Sequence, residues 1–385
     1  MKYKIAVITG SRAEYGLLRP VIKKIDQSKF FELQLIVTGT HLSPEFGQTE
    51  NEIYLDNYKI TDKLEILLSS NTRLGMAKST GLAIISFADS YKNLCPDLVV
   101  CLGDRYEIFS AVYSALIMNI PIAHIHGGEL TYGAIDDQFR HAITKASSIH
   151  FPCTEIYKKR IIQMGEESIN VHNVGALGVE RVKKVEIMTI NEMEKHLGVK
   201  LSKKFFLVTV HAPTKGKDSA SFLISQVIEA LEEFPSNSII MSYANQDSGG
   251  YEINKLKNIF CDKNSSKRIL KKSLGHKLYI NLMRNCTAVI GNSSSGVIES
   301  PILGVPSINI GSRQNGRYLA DSVIQVKTDK DQIILAMKET INKKSNNISD
   351  EFGTGGTSDL IIDHIKRFLD QYNPSDIKKF NDIAY

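Results

Sequence analysis

A chain of 385 residues is longer than one compact core usually takes, so two domains are the starting expectation. Hydrophobic residues make up 42% and charged residues 23%, an ordinary soluble globular balance, and no apolar run approaches the length that crosses a bilayer. The net charge of +5, from 47 basic and 42 acidic residues, is too thin and too scattered for a nucleic-acid face, although a pocket for a small anion needs only a few such charges.

Met1–Gly10 leads straight from a short apolar run into a glycine turn and reads as a first core strand, not a signal peptide. The five cysteines (Cys95, Cys101, Cys153, Cys261 and Cys286) form no CxxC pair and no zinc spacing. An odd count without a secretory leader suits a reducing compartment, so a cytoplasmic location is expected.

In chain order, Lys4–Thr9 reads as a buried strand, followed by a turn and a helix near Gly16–Lys24. Leu33–Thr38 is a second strand. Thr72–Leu94 is helical by length and periodicity, Asp97–Leu102 is a buried strand, and a helix runs from about Tyr106 to Met118. Pro121–His126 is again a strand, and Ile135, Phe139, Ile143 and Ala146 recur at helical spacing as one apolar face. Gly175–Lys200 has no strong strand and breaks the pattern. Phe205–Val210 opens a second series, with strands near Ser238–Tyr243, Ala288–Ile290, Ser307–Ile310 and Val323–Val326. Ser345–Thr357 is polar and Gly-rich and reads as a linker; the last helix, about Ser358–Gln371, is expected to return to the first domain.

The expected architecture is therefore α/β. Two Rossmann-like, doubly wound parallel-sheet domains, 1–175 and 176–357, would face a cleft, with 358–385 packing back on the first. Ligands of such sheets sit beyond the carboxyl ends of the strands.

The unusual residues fall at those ends. Gly10-Ser11-Arg12 follows the first strand, where a tight turn, a helix N-terminus and the Arg12 fork could meet a phosphate; the plainer alternative is a capped turn with a solvated arginine. Asp104 and Arg105 follow the Asp97–Leu102 strand, as a local ion pair, a helix cap, or a catalytic acid or base. His124-Ile125-His126-Gly127-Gly128-Glu129 follows the next strand, and Asp136, Asp137, Arg140 and His141 come soon after. The two histidines alternate on a strand that is ending, so one can be structural while the other reaches the cleft. Crowded carboxylates raise one another's pKa, which suits general acid and base work, while one aspartate could merely start the helix.

In the second half His211 follows one strand, Asn245 and Asp247 the next, and Gly291-Asn292-Ser293-Ser294-Ser295-Gly296 opens a helix that carries Glu299. Hydroxyls and free N–H groups at a helix start make a phosphate cradle, Glu299 suits a ribose diol, and Arg313 and Arg317 add cationic donors. No GxGxxG follows the first strand and no GxxxxGK[ST] occurs, which excludes a nicotinamide fingerprint and a P-loop. No cofactor and no metal is expected.

The pieces SRAEYG (11–16), LGDRYEIF (102–109), HIHGGE (124–129), IDDQFRHAITK (135–145), GNSSSG (291–296) and GSRQNGR (311–317) span roughly 300 residues in order. Together they make the chain resemble the hydrolysing UDP-N-acetylglucosamine 2-epimerases of sialic acid biosynthesis. The resemblance implies the two-domain fold of GT-B glycosyltransferases and a homo-oligomer. It places Arg12, Arg105, His211, Asn245, Ser293, Ser294, Glu299 and Arg313 at the UDP, with Leu274 near the uracil. It places Asp104, Glu129 and Asp136 as catalytic carboxylates, with His126 standing where some relatives carry a glutamate. The implied reaction releases UDP and free N-acetylmannosamine by anti elimination through a 2-acetamidoglucal, then hydration. Two rivals share the fold: the same chemistry on a UDP- or GDP-linked 2,4-diacetamido-trideoxy sugar, and a glycosyltransferase. A non-catalytic nucleotide-sugar sensor is the third reading.

Overall fold

A computed structural model describes residues 2–44, 47–68, 72–132, 135–212, 219–244, 249–342 and 348–382. The chain divides into two compact units. One comprises Met1–Glu129, Ile135–Arg181 and Gly353–Tyr385, the other Leu130–Ala134 and Val182–Phe352.

The first unit is built from β1 (Tyr3–Thr9), α1 (Arg12–Asp26), β2 (Phe31–Thr38), α2 (Glu50–Leu55), β3 (Asp62–Leu64), α3 (Arg73–Leu94), β4 (Leu98–Leu102), α4 (Tyr106–Ile117), β5 (Ile122–Ile125), α5 (Ile135–Ala146), β6 (Ile149–Phe151), α6 (Glu155–Gln163) and α7 (Leu177–Lys184). Its six parallel strands run in the order β3-β2-β1-β4-β5-β6. The second unit contributes α8 (Ile190–Leu197), β7 (Phe205–Thr209), α9 (Ala220–Glu232), β8 (Ser238–Ser242), α10 (Gly250–Asp262), β9 (Arg268–Lys271), α11 (Gly275–Asn285), β10 (Ala288–Gly291), α12 (Ser294–Ile302), β11 (Ser307–Ile310), β12 (Val323–Val326) and α13 (Lys330–Asn342). Its sheet runs β12-β11-β10-β7-β8-β9, the same winding as the first. The last helix, α14 (Thr357–Gln371), belongs to the first unit.

Each sheet is buried on both faces because successive strand residues point to opposite sides. In β1, Ile5 and Val7 join a cluster with α1 and α14, whereas Ala6 and Ile8 join a cluster with α3 and α4. In β7, Phe206 and Val208 face α9, α10 and α13, whereas Phe205 and Leu207 face α8 and α11. No described helix is long and apolar enough to cross a membrane.

Three strands escape the sequence reading: β3, β6 and β9. Each is an outer strand of three or four residues, too short to show a period. Two elements differ from expectation. α1 starts at Arg12, not near Gly16, because Ser11 accepts from the Glu14 N–H and caps it there. In α5, Ile143 is buried but Ile135 is exposed, and the inward face instead carries Arg140 and Thr144. That helix turns polar groups inward because it has polar partners on β4 and β5, described next.

Candidate functional site

In a doubly wound sheet the strand order reverses at one place, and the crevice beyond the carboxyl ends there is where ligands bind. In the first unit that place lies between β1 and β4, in the second between β7 and β10.

Beyond β4 and β5 the first unit gathers its charged groups around one guanidinium. Arg140, 3% exposed, forms an ion pair with Asp104, donates to the Glu129 carbonyl oxygen at 2.9 Å and lies 3.5 Å from Asp137. One side chain on α5 thus ties together the ends of two strands and its own first turn. Asp136 and Asp137 both sit in that first turn; the residue that caps it lies outside the described residues. Asp136 has its pKa raised, first by burial and then by the Asp104 carboxylate, with Arg105 and Arg140 pulling the other way. The expected crowding effect is therefore present at Asp136.

The two histidines divide as the ending strand allows. His124 is fully buried on β5; its Nδ1 lies 3.1 Å from Thr144 Oγ1 and its Nε2 2.8 Å from the Gly103 carbonyl oxygen. Burial keeps it neutral, with its pKa down to about 3. It fixes α5 and the β4 end to β5. His126 has left the strand with φ +65, a left-handed conformation that non-glycine residues avoid. Its Nδ1 lies 2.7 Å from Glu129 Oε1, and the Cys153 thiol donates to the same oxygen at 3.4 Å.

His126, Glu129 and Cys153 offer ligand atoms within 4.8 Å of one another. Two ligands on one zinc ion stand roughly 3.3 Å apart at tetrahedral angles. The 2.7 Å His126–Glu129 separation is a hydrogen bond instead.

Nearer β1, the turn satisfies itself. Glu14 Oε2 accepts from the Gly10 N–H at 2.7 Å, so that donor is not open to an anion. Arg12 is paired with Glu52 at 2.6 Å. Arg105 forks onto the buried Glu107 carboxylate with two 3.2 Å contacts. Glu14, 6% exposed, has its pKa pushed up to about 8 by burial, with Arg105 opposing and Glu107 adding to the rise. The sequence reading singled out neither Glu14 nor Glu107.

In the second unit Asn292 bridges the reversal point. Its Oδ1 accepts from the His211 N–H at 2.8 Å and its Nδ2 donates to the His211 carbonyl oxygen at 2.9 Å. The Asn292 carbonyl oxygen accepts from Arg313 at 3.1 Å and from Gln314 at 2.9 Å. His211, Asn292 and Arg313 are thereby held as one group beyond β7, β10 and β11. Burial first, then the Arg313 and Lys257 charges, lowers the His211 pKa to about 3, so it acts as a neutral ring. Lys257, fully buried on α10, donates to the carbonyl oxygens of Val210 (3.0 Å) and Ser242 (2.8 Å), and burial lowers its pKa to about 7.

Gly291 makes this approach possible: at φ +141, a Cβ there would stand 1.9 Å from the Thr209 carbonyl oxygen. Ser293 caps α12. The Tyr279 hydroxyl contacts Ser295 Oγ at 2.7 Å and Thr209 Oγ1 at 3.2 Å, so the serine turn rests on a half-buried phenol. Glu299 sits further along α12, close enough for its charge to bear on Tyr279. Leu274 is buried in the apolar cluster with Ile240 and Ile269, and Asn245 lies outside the described residues. Tyr279 and Cys153 fall outside the quoted motifs, and Glu14 and Gln314 fall inside SRAEYG and GSRQNGR without a role that spacing alone could assign.

Acid and base groups stand beyond the first sheet's strand ends; a capped helix start with serines and an arginine stands beyond the second's. This is the equipment of a nucleotide-sugar enzyme on two Rossmann-like units. The sequence profile of the UDP-N-acetylglucosamine 2-epimerase family matches residues 23–366, and the chain belongs to that family. It is 43% identical over 323 residues, 84% of each chain, to the GDP/UDP-N,N'-diacetylbacillosamine 2-epimerase (hydrolyzing) of Campylobacter jejuni. It is 36% identical to the UDP-N,N'-diacetylbacillosamine 2-epimerase (hydrolyzing) of Legionella pneumophila, over 94% of this chain and 95% of that one. It is 30% identical to a UDP-N-acetylglucosamine 2-epimerase of Neisseria meningitidis, over 92% of each. Among solved structures, a Neisseria meningitidis UDP-GlcNAc 2-epimerase bound to UDP-GlcNAc superposes with a TM-score of 0.79 at 20% identity, covering 94% of this chain and 100% of that one, which shows the shared fold.

Proposed function

We propose that this enzyme is a hydrolysing 2-epimerase of a nucleotide-linked 2-acetamido sugar, and that its substrate is a UDP- or GDP-linked 2,4-diacetamido-2,4,6-trideoxyglucose. The chemistry rests on one observation: Asp104, His126, Glu129 and Asp136 are drawn together around Arg140 beyond β4 and β5. The substrate is supported by the relatives, since identity is higher to those named for diacetylbacillosamine than to the Neisseria enzyme named for UDP-N-acetylglucosamine. The second reading is UDP-N-acetylglucosamine itself, giving N-acetylmannosamine for sialic acid; a match of 36% to an Escherichia coli polysialic acid biosynthesis protein favours it.

The physical obstacle is a C2–H that is barely acidic. Departure of the nucleotide diphosphate builds positive charge at C1 and makes that proton easier to remove. In the first step the C2–H bond breaks, its electron pair forms C1=C2, and the C1–O bond breaks with the diphosphate. In the second, water adds its oxygen to C1 and a proton enters C2 on the opposite face, which inverts that centre. Groups of the first unit move the protons. Arg313 and the serine turn beyond β10 and β11 are donors of the kind that suits a diphosphate, already fixed by Asn292 and Tyr279.

The test is incubation of the enzyme in D2O with each sugar nucleotide in turn, followed by NMR of the anomeric protons. The proposal expects nucleotide release and a free manno-configured 2,4-diacetamido sugar carrying deuterium at C2. Faster turnover of UDP-N-acetylglucosamine would install the second reading. Nucleotide release without deuterium at C2 would refute the elimination and point to a glycosyltransferase or simple hydrolase.

A further inference from the structure

Glu129 reads from sequence as a carboxylate that itself transfers a proton. The geometry around it points elsewhere, and we infer that His126 Nε2 is the base that takes the C2 proton, with Glu129 and Cys153 as its positioning residues.

Three features converge on His126. Its Nδ1 stands 2.7 Å from Glu129 Oε1. A carboxylate can only accept, so Nδ1 carries the hydrogen, and in the neutral ring the lone pair is then on Nε2. Glu129 cannot turn away, because the Cys153 thiol donates to the same oxygen and Arg140 holds its backbone carbonyl. Its charge then faces an imidazole that becomes cationic on taking a proton. Second, Nε2 is buried and makes no hydrogen bond to any described residue. A bare ring nitrogen in such a position is costly unless it has something to bind. Third, the ring is carried at φ +65, where glycine would sit without strain and two glycines follow directly. Strain retained at a non-glycine residue beside polar groups marks a side chain kept for its chemistry.

The order of events also fits. The elimination comes first and needs a base, which the imidazole offers at Nε2. The proton leaves C2 for Nε2 as C1=C2 forms and the nucleotide diphosphate departs. In the later step a proton enters C2 and water gives up another as its oxygen bonds C1; Asp104 and Asp136 are the remaining carboxyl groups of the cluster for these two transfers. This assignment rests on the 2-epimerase reading given above.

Two measurements test it. In protein labelled with nitrogen-15 at histidine, the His126 ring should show hydrogen on Nδ1 and a bare Nε2 at mildly alkaline pH. Glu129→Gln should mix the two tautomers. A ring with its hydrogen on Nε2 would overturn the assignment, and this readout needs no substrate. The second uses whichever sugar nucleotide the wild-type enzyme turns over. His126→Gly removes the left-handed strain but also takes a partner from the buried Glu129 carboxylate, so its fold is confirmed first by circular dichroism. It should lose deuterium incorporation at C2 by at least about a hundredfold and regain it when imidazole is added. Glu129→Gln should lower kcat with little change in KM. A folded His126→Gly enzyme that keeps its rate, or that imidazole does not restore, would overturn the proposal. A wild-type enzyme that releases no nucleotide would count against the 2-epimerase reading and leave the tautomer result standing.

Discussion

Replacing Arg140 by methionine keeps the length of the side chain and removes its charge. Asp104 then loses an ion pair, the Glu129 carbonyl loses a donor, and Asp137 loses its nearest guanidinium. Stripping one partner from a buried pair costs about 3–5 kcal/mol. Arg140 is 3% exposed but Asp104 is 23% exposed and can recover some water, so the lower end, about 3 kcal/mol, is expected. That is a loss of roughly a hundredfold in the folding equilibrium, read by urea unfolding. The stranded carboxylate is part of that loss. The double variant Arg140→Met/Asp104→Asn should therefore be about 1–2 kcal/mol more stable than the two single losses added together. A kinetic signature accompanies it. Arg140 is one of the charges holding the Asp136 pKa down, so the limb of the pH–rate profile that reports Asp136 should move to higher pH. A single variant that loses less than about 1 kcal/mol, with strictly additive double behaviour, would refute Arg140 as the organiser of the cluster.

Glu14 supplies a sign test. Between its ordinary value of 4.5 and about 8 the folded chain holds a proton that the unfolded chain has released, so stability falls as pH rises through that window. Glu14→Gln should flatten this slope and stabilise the protein at pH 8 by up to about 5 kcal/mol, with little change near pH 5, as measured by unfolding across pH. Gly291→Ala places a methyl group against a carbonyl oxygen that cannot move cheaply, and should cost more than about 3 kcal/mol and abolish nucleotide binding in calorimetry. Tyr279→Phe removes a hydroxyl shared by Ser295 and Thr209, and should weaken nucleotide binding about five- to tenfold while costing about 1 kcal/mol of stability.

The central strands were legible because both of their faces are buried, which writes nearly unbroken apolar runs such as those of β1, β4 and β7. Three of the four outer strands were not: two of these, Asp62–Leu64 and Arg268–Lys271, mix charge with apolar residues over three or four positions. Reading strand ends from the sequence put Asp104, His126, Glu129, Ser293 and Arg313 just beyond apolar strands, and they follow β4, β5, β10 and β11 in the structure. Which partner each one meets was hidden. Arg105 turns to Glu107 and Arg12 to Glu52, because a nearby carboxylate is an alternative to a phosphate that motif spacing does not rank. The division of labour between His124 and His126 hangs on one residue, where the strand ends and the backbone crosses to positive φ.

The return of α14 to the first unit has a consequence for how the protein is made. Ile361, Ile365 and Leu369 complete the same apolar cluster as Ile5 and Val7, and Tyr3 meets Asp370 at 3.2 Å. The first unit therefore cannot complete its core until α14 has been made, while Val182–Phe352 lies uninterrupted between its two parts. During synthesis the middle of the chain can close its core first. Until α14 has emerged, the second unit can be folded while the first is still open on one face of its sheet.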